Sequence, residues 1–208
     1  MSADKSRAAS KPLTHLLDEI RQCSQCQSHL PLPARPILQA SGQAKILIAG
    51  QAPGRVTHQR SIPFDDASGD RLRRWLGVSR ASFYDPNLFA IVPMGFCYPG
   101  TLINHGKKHG DCPPRPECQQ RWHPQLLPLL DKVELTIILG QFAIDYHLGR
   151  TPKLSVTQAV SQWQRWWPRH IVLPHPSPRN NLWLKRHPDF EHLVIPSLQS
   201  RVRHLLTG

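Results

Sequence analysis

Residues 45–54 read Lys-Ile-Leu-Ile-Ala-Gly-Gln-Ala-Pro-Gly. The run Lys45–Ala49 is short and nearly continuous in apolar residues, the pattern of a strand buried on both faces. Gly50 closes it, and the chain passes into a tight turn bearing Pro53 and Gly54. Apolar runs of the same kind recur at Leu88–Val92, at Glu134–Leu139, where Gly140 closes the run, and at His170–Leu173. Helical spacing fills the intervals. Leu72, Trp75 and Leu76 share a face over Gly69–Leu76, with Gly77 as the stop, and Phe142–Leu148 reads as a further helix. Four strands separated by helices predict an α/β fold, a three-layer α/β/α sandwich around a central parallel four-stranded sheet with right-handed crossovers. Ligands of such sheets sit beyond the carboxyl ends of the strands, which directs attention to the stretches beginning at Gly50, Pro93, Gly140 and Pro174.

Outward from the sheet, Leu13, Leu16, Leu17 and Ile20 predict a first helix over Leu13–Gln22, preceded by a flexible tail over residues 1–12. Gln119–Leu130 is apolar on one side but carries Pro124 and Pro128, so a kinked or broken helix is expected there. Asp189–Leu206 reads as a terminal helix interrupted by Pro196. There is no internal repeat and no clear linker, so residues 13–208 are expected to form a single domain. The 208 residues, 39% of them hydrophobic, suffice for a real core and exclude a disordered chain, while 21 prolines imply long irregular connections. No apolar run approaches a membrane span and no secretory signal is apparent, so a soluble, cytoplasmic monomer is expected.

Lys and Arg number 26 against 14 Asp and Glu, a net charge of +12. That excess points to a polyanionic partner, with nucleic acid ahead of a membrane surface. Its basic residues lie beside loops and helix ends, among them Arg71, Arg73, Arg74, Arg179, Lys185 and Arg186, which favours a groove on a folded body over a lipid-binding helix. Trp163, Trp166 and Trp167 read as packing residues, and Gly106-Lys107-Lys108-His109 as a solvated basic loop.

Five cysteines without a secretory signal argue against a disulfide framework. Cys23 and Cys26 form a C-x2-C pair at the end of the first helix, and two of Cys97, Cys112 and Cys118 can complete a four-thiolate site. On spacing alone, zinc and a [4Fe-4S] cluster are equivalent.

Two loops after strands carry the strongest chemical signals. The first is Gly50-Gln51-Ala52-Pro53-Gly54, continuing to Pro63-Phe64-Asp65 and Ala67-Ser68-Gly69. Its turn can bring backbone N–H groups toward an anion and is followed by an aromatic able to stack on a planar ligand. The second, His175-Pro176-Ser177-Pro178-Arg179-Asn180-Asn181, puts an imidazole at a strand end, where it can donate a hydrogen bond to charge developing on a leaving group.

Together, in this order, the loops resemble those of the uracil-DNA glycosylase superfamily, and the cysteines resemble its iron-sulfur branch, the family 4 type. The resemblance runs from about Leu13 to Asn181. It implies a DNA glycosylase that removes uracil or another deaminated base, with DNA as partner. It also implies a [4Fe-4S] cluster, rather than zinc, on Cys23, Cys26, Cys97 and Cys118, leaving Cys112 spare. His175 and Gln51 become the expected catalytic residues. The expected substrate contacts are Gly50, Ala52, Pro53, Gly54, Phe64, Pro93, Ser177, Arg179 and Asn180.

Three departures from the family pattern bear on chemistry. Gln51 stands where the iron-sulfur branch usually has Glu, and Ala52 where the classical enzymes have Asp; neither can take a proton from water. Pro93 occupies the position of the uracil-reading Asn and lacks both an amide side chain and a backbone N–H. The base removed is therefore open between uracil, hypoxanthine and xanthine, and Asp65 and His58 are the sequence-local candidates for a general base. The alternatives are a non-catalytic iron-sulfur module that binds damaged or single-stranded DNA, and a zinc-binding α/β nucleic-acid protein.

Overall fold

The structure, a computed structural model, describes residues 5–149, 151 and 153–207. The chain enters through α1 (Lys5–Arg21) and reaches β1 (Ile46–Ala49). Three short helices, α2 (Arg55–Arg60), α3 (Ala67–Leu76) and α4 (Arg80–Phe83), lead to β2 (Phe89–Ile91). A hairpin of β3 (Thr101–Asn104) and β4 (Lys107–Asp111) comes next, then α5 (Pro116–Leu126) and β5 (Leu135–Leu139). After α6 (Gln141–His147), α7 (Val156–Ser161) and β6 (His170–Leu173), the chain closes with α8 (Asn181–Arg186) and α9 (Ile195–Thr207).

The four apolar runs form one parallel sheet in the order β2-β1-β5-β6, as expected. Side chains alternate across it. Ile46, Ile48, Phe89 and Ile91 face one core, shared with Leu72 and Trp75 of α3 and Leu198 and Val202 of α9. Leu47 and Ala90 face the other, where Leu13, Leu17 and Ile20 of α1 meet Trp122 and Leu126 of α5. Helices therefore cover both faces, the three-layer arrangement read from the sequence. Chain order runs from β1 outward to β2 and then returns to β5 on the other side of β1, which opens a crevice at the carboxyl edge of the sheet.

Helix boundaries follow their local chemistry. Gly77, at φ 68, ends α3 and donates its N–H to Arg73 and Arg74 carbonyls. Pro124 lies within α5, which passes into a 3-10 turn at Leu127–Leu129, the broken helix expected there. Pro196 sits in the first turn of α9, which continues directly from a π-helical turn at Phe190–Val194, so the terminal helical stretch changes its winding next to the proline. One boundary needs correction: α1 begins at Lys5, so much of the stretch read as a flexible tail is helical, while residues 1–4 lie outside the described residues. A hairpin replaces the solvated loop expected at Gly106–His109. His105 and Gly106 both have positive φ, 47° and 71°, and Asn104 pairs with Lys107, which is a two-residue turn of the kind that matches strand twist.

One buried and one half-buried histidine, His123 and His147, lie inside this frame. His123 of α5 is fully buried, bonds the Pro93 carbonyl through Nε2 at 3.1 Å, and stacks on Phe96. Burial pushes it down to about 4, and burial together with His123 and His170 does the same to His147. Unfolding frees both rings to bind protons at the ordinary histidine value. Stability is therefore intact above about pH 6.5 and is lost as pH falls from there toward 4, by roughly 3 kcal/mol per ring. Denaturant unfolding at pH 7 and pH 4.5 checks this, and the His123→Gln variant should flatten the profile.

Candidate active site

The loop after β1 is pinned to the loop after β2 by continuation of the sheet ladder. The Gly50 carbonyl accepts from Met94 N–H at 2.8 Å and the Gln51 carbonyl from Gly95 N–H at 3.0 Å. This fixes a cleft of about 610 Å³, open to solvent, at the carboxyl edge of the sheet. Gly50, Gln51, Ala52, Pro53, Gly54, Phe64, Pro93 and His175 all line it, so two loops far apart in sequence meet in one place. Asp66 and Asp111 line it as well, and neither was singled out from the sequence.

Phe64 is held in an uncommon backbone conformation, φ 56. Its carbonyl accepts from Arg73 Nη1 at 3.2 Å and lies where a side chain at position 69 would go: a Cβ there would stand 1.7 Å from the oxygen. Gly69 is therefore a requirement of Phe64's placement. The ring meets Phe83 edge-on at 6.2 Å, leaving Phe64 as an aromatic wall of the cleft. Asp66 caps α3, accepting the Gly69 N–H at 2.9 Å.

His175 is fixed in one tautomer. Its Nδ1 accepts the Ser177 N–H at 3.2 Å, so the neutral ring carries its proton on Nε2. Burial lowers its pKa, with Asp66 opposing and Arg179 reinforcing the shift, so at neutral pH the ring is an uncharged N–H donor. The rest of the loop is braced from within. Asn180 Nδ2 donates to the His175 carbonyl at 2.8 Å, and Arg71 of α3 bonds the Ser177 carbonyl at 3.1 Å and Asn181 Oδ1 at 2.7 Å. Asn180 thus positions His175, and the Ser177 hydroxyl accepts from the Arg179 N–H.

Asp111 ends β4 at the cleft mouth. Gly54 gives it room, since a Cβ there would lie 3.4 Å from Oδ2. Crowding by the cleft walls raises its pKa against the pull of Arg179, which makes it a stronger base than an ordinary carboxylate. Gln51 secures this end of the hairpin, donating through Nε2 to the Cys112 carbonyl at 3.0 Å.

A family model described as the uracil DNA glycosylase superfamily matches residues 38–199, which span both loops and the whole sheet. The chain belongs to the uracil DNA glycosylase superfamily. Membership supports glycosylase-type chemistry on DNA in general terms, and it agrees with a cleft lined by a backbone turn, an aromatic and a histidine donor. No helix among the described residues is long and apolar enough to cross a membrane.

Asp65 and His58, offered as general bases, do not line the cleft. Asp65 pairs with Arg60 and Arg80, which hold its carboxyl below the usual range, and His58 is buried on α2 beneath Arg35. Arg73 was counted among DNA-facing arginines but is buried at 7% exposure, where it bonds Asp70, Tyr84 and the Phe64 carbonyl. Arg74, Arg179, Lys185 and Arg186 are exposed. Trp163, Trp166 and Trp167 pack against the core, as expected.

A second cavity gathers the cysteines. Cys23 and Cys26 from the end of α1, Cys97 from the loop after β2 and Cys118 from α5 border it together with Arg115 and Trp122; Cys112 does not. Burial, with a smaller contribution from the neighbouring sulfurs, pushes Cys97 up to about 11 and Cys118 up to about 12. The Phe96 N–H points at Cys118 Sγ at 3.3 Å, and a backbone hydrogen bond involving Arg35 reaches Cys97. Among the described residues, no three His, Cys, Asp or Glu side chains are arranged to hold a single metal ion. The four thiols surround a space without converging on a point.

Proposed function

We propose that the chain is a DNA glycosylase of the iron-sulfur family 4 type that hydrolyses the N-glycosidic bond of uracil or another deaminated base. The observation that carries this reading is the neutral His175 ring, its Nδ1 tied to Ser177 and its Nε2–H free for a ligand in a cleft walled by Phe64. In the proposed reaction the nucleotide is flipped from the duplex and its base stacks on Phe64. The bond from the base nitrogen to C1′ breaks and its electron pair leaves with the base, whose developing negative charge accepts a hydrogen bond from His175 Nε2–H. Water adds to the oxocarbenium-like C1′, and its proton passes to Asp111.

Asp111 supplies the carboxylate that Gln51 and Ala52 lack. Its raised pKa and its position at the cleft mouth support the role. Asp111→Asn is expected to lower single-turnover excision by about a hundredfold, within the range for loss of a general base, with DNA affinity unchanged. Pro93 leaves the adjoining wall without a side-chain amide, which favours a site that accepts a purine such as hypoxanthine or xanthine beside uracil.

For the four thiols, a polynuclear group fits better than a single ion. They enclose a space, and backbone N–H groups aimed at two of the sulfurs suit thiolate ligands. Cys23, Cys26, Cys97 and Cys118 would hold the [4Fe-4S] cluster, which would tie the end of α1 to the loop after β2 and to α5. Iron and acid-labile sulfide in anaerobically purified protein test it; zinc without iron would assign a different site.

The competing reading, a non-catalytic module that binds damaged DNA, is favoured by Ala52 and Pro93. Oligonucleotides carrying one uracil, hypoxanthine or xanthine separate the two. Alkali-labile sites at the modified base are expected, and binding without strand scission on any of the three would favour the module.

A further inference from the structure

Helix α3 holds two walls of the cleft at once. Toward Phe64, Gly69 leaves room for the Phe64 carbonyl, Arg73 Nη1 bonds that oxygen at 3.2 Å, and Asp66 caps the helix at the Gly69 N–H. Toward His175, half-buried Arg71 donates from Nη1 to the Ser177 carbonyl at 3.1 Å and from Nη2 to Asn181 Oδ1 at 2.7 Å. Among the described residues, these two are the side-chain hydrogen bonds that tie the His175–Asn181 loop to another element. The bonds from Ser177 N–H to His175 Nδ1 and from Asn180 to the His175 carbonyl lie inside the loop. Both partners of Arg71 are neutral, so its fork fixes geometry and leaves no carboxylate neutralised.

The two sets of bonds therefore have different tasks. Those inside the loop keep the His175 tautomer, and those from Arg71 keep its distance from the Phe64 wall. We infer that Arg71 is a positioning residue that sets the reach from the Phe64 ring to the His175 Nε2–H, and through that reach the size of base the cleft holds. The inference rests on the reading of the cleft as a site for an extruded base. A hydrogen bond weakens steeply once donor and acceptor part beyond the normal range. A single-ring base stacked on Phe64 meets the donor only when the loop is held in, whereas the second fused ring of a purine spans a wider gap. Freed from Arg71, the loop keeps its internal bonds and its donor, but it recedes from the wall. Uracil then loses its contact before hypoxanthine does.

The test is equilibrium binding of single-stranded oligonucleotides carrying one 2′-fluoro-2′-deoxyuridine or one 2′-fluoro-2′-deoxyinosine, whose glycosidic bonds resist hydrolysis, by the wild-type protein, Arg71→Lys and Arg71→Met. Single strands remove the cost of unpairing, so the ratio of the two affinities reads the cleft alone. Arg71→Met should bind the uracil strand about tenfold more weakly and the hypoxanthine strand within about twofold of wild type. Arg71→Lys keeps a donor for the Ser177 carbonyl and should recover most of the uracil affinity. Equal losses on both strands, an unchanged uracil affinity in Arg71→Met, no recovery in Arg71→Lys, or a wild-type protein that prefers neither strand to an unmodified one would overturn the inference. The readout does not require chemistry. A selective loss for uracil in a protein that excises neither base from ordinary deoxyuridine or deoxyinosine strands would uphold the role of Arg71 and defeat the glycosylase reading. Excision by wild type, with both affinities indifferent to Arg71, would do the reverse.

Discussion

Replacing His175 by alanine is expected to reduce single-turnover excision by about a hundred- to a thousandfold, the usual effect of removing a donor aimed at developing charge. The basis is geometric. Ser177 N–H occupies Nδ1, burial keeps the ring neutral, and Asn180 holds the backbone beneath it, so Nε2–H is set before any ligand arrives. Such a donor contributes most where the leaving group is poorest, so the loss should be larger for uracil than for a base that leaves readily. DNA affinity should change little, because the exposed cations available to phosphate, Arg179, Lys185 and Arg186, are untouched. Excision and equilibrium binding on the same oligonucleotide check both halves. Full activity in His175→Ala would remove the histidine from the mechanism.

Gly69→Ala is expected to be the most damaging conservative change in the site. The added methyl would fall 1.7 Å from the Phe64 carbonyl oxygen, a backbone atom that also receives Arg73, so no flexible side chain can give way. Relief requires moving Phe64 out of its φ 56 conformation or shifting the start of α3, where Asp66 caps the Gly69 N–H. Overpacking of this severity costs about 3 kcal/mol or more and should lower Tm by roughly 6–12 °C. Excision should fall with it, since Phe64 leaves the cleft wall. Thermal unfolding and a single-turnover assay read the two effects; a variant with unchanged Tm and full excision would show that the close approach is not needed.

Much of this arrangement is legible in the chain, for identifiable reasons. Runs such as Ile46–Ala49 and Leu135–Leu139 are apolar throughout because both faces of the sheet are covered, and that signal survives without any tertiary information. The Gly50–Gly54 and His175–Asn181 loops are legible because special residue types stand at strand ends. The hairpin is not legible: Leu102, Ile103 and Asn104 of β3 are exposed, so that strand carries no buried-face alternation, and the turn uses His105-Gly106 in place of the usual Asn-Gly. Asp111 is hidden with it, because only the fold of the ribbon brings that carboxylate to Gly54. Gly106, a residue that tolerates positive φ between two short runs, is the available clue. Asp65 and Asp66 are adjacent and indistinguishable by type; ion pairing with Arg60 and Arg80 takes the first away, and the cap of α3 turns the second toward the cleft. Arg73 shows the same limit, since its charge is visible in the sequence but its burial between Phe64, Asp70 and Tyr84 is not.

Hydrolytic release of a base is tested by mass analysis of the products formed in isotope-labelled water from oligonucleotides carrying uracil, hypoxanthine or xanthine. The proposed reaction predicts a free, unlabelled base and a strand whose abasic sugar has gained the label at C1′. Tight binding of the modified strands, with every base still attached and no label incorporated, would contradict it.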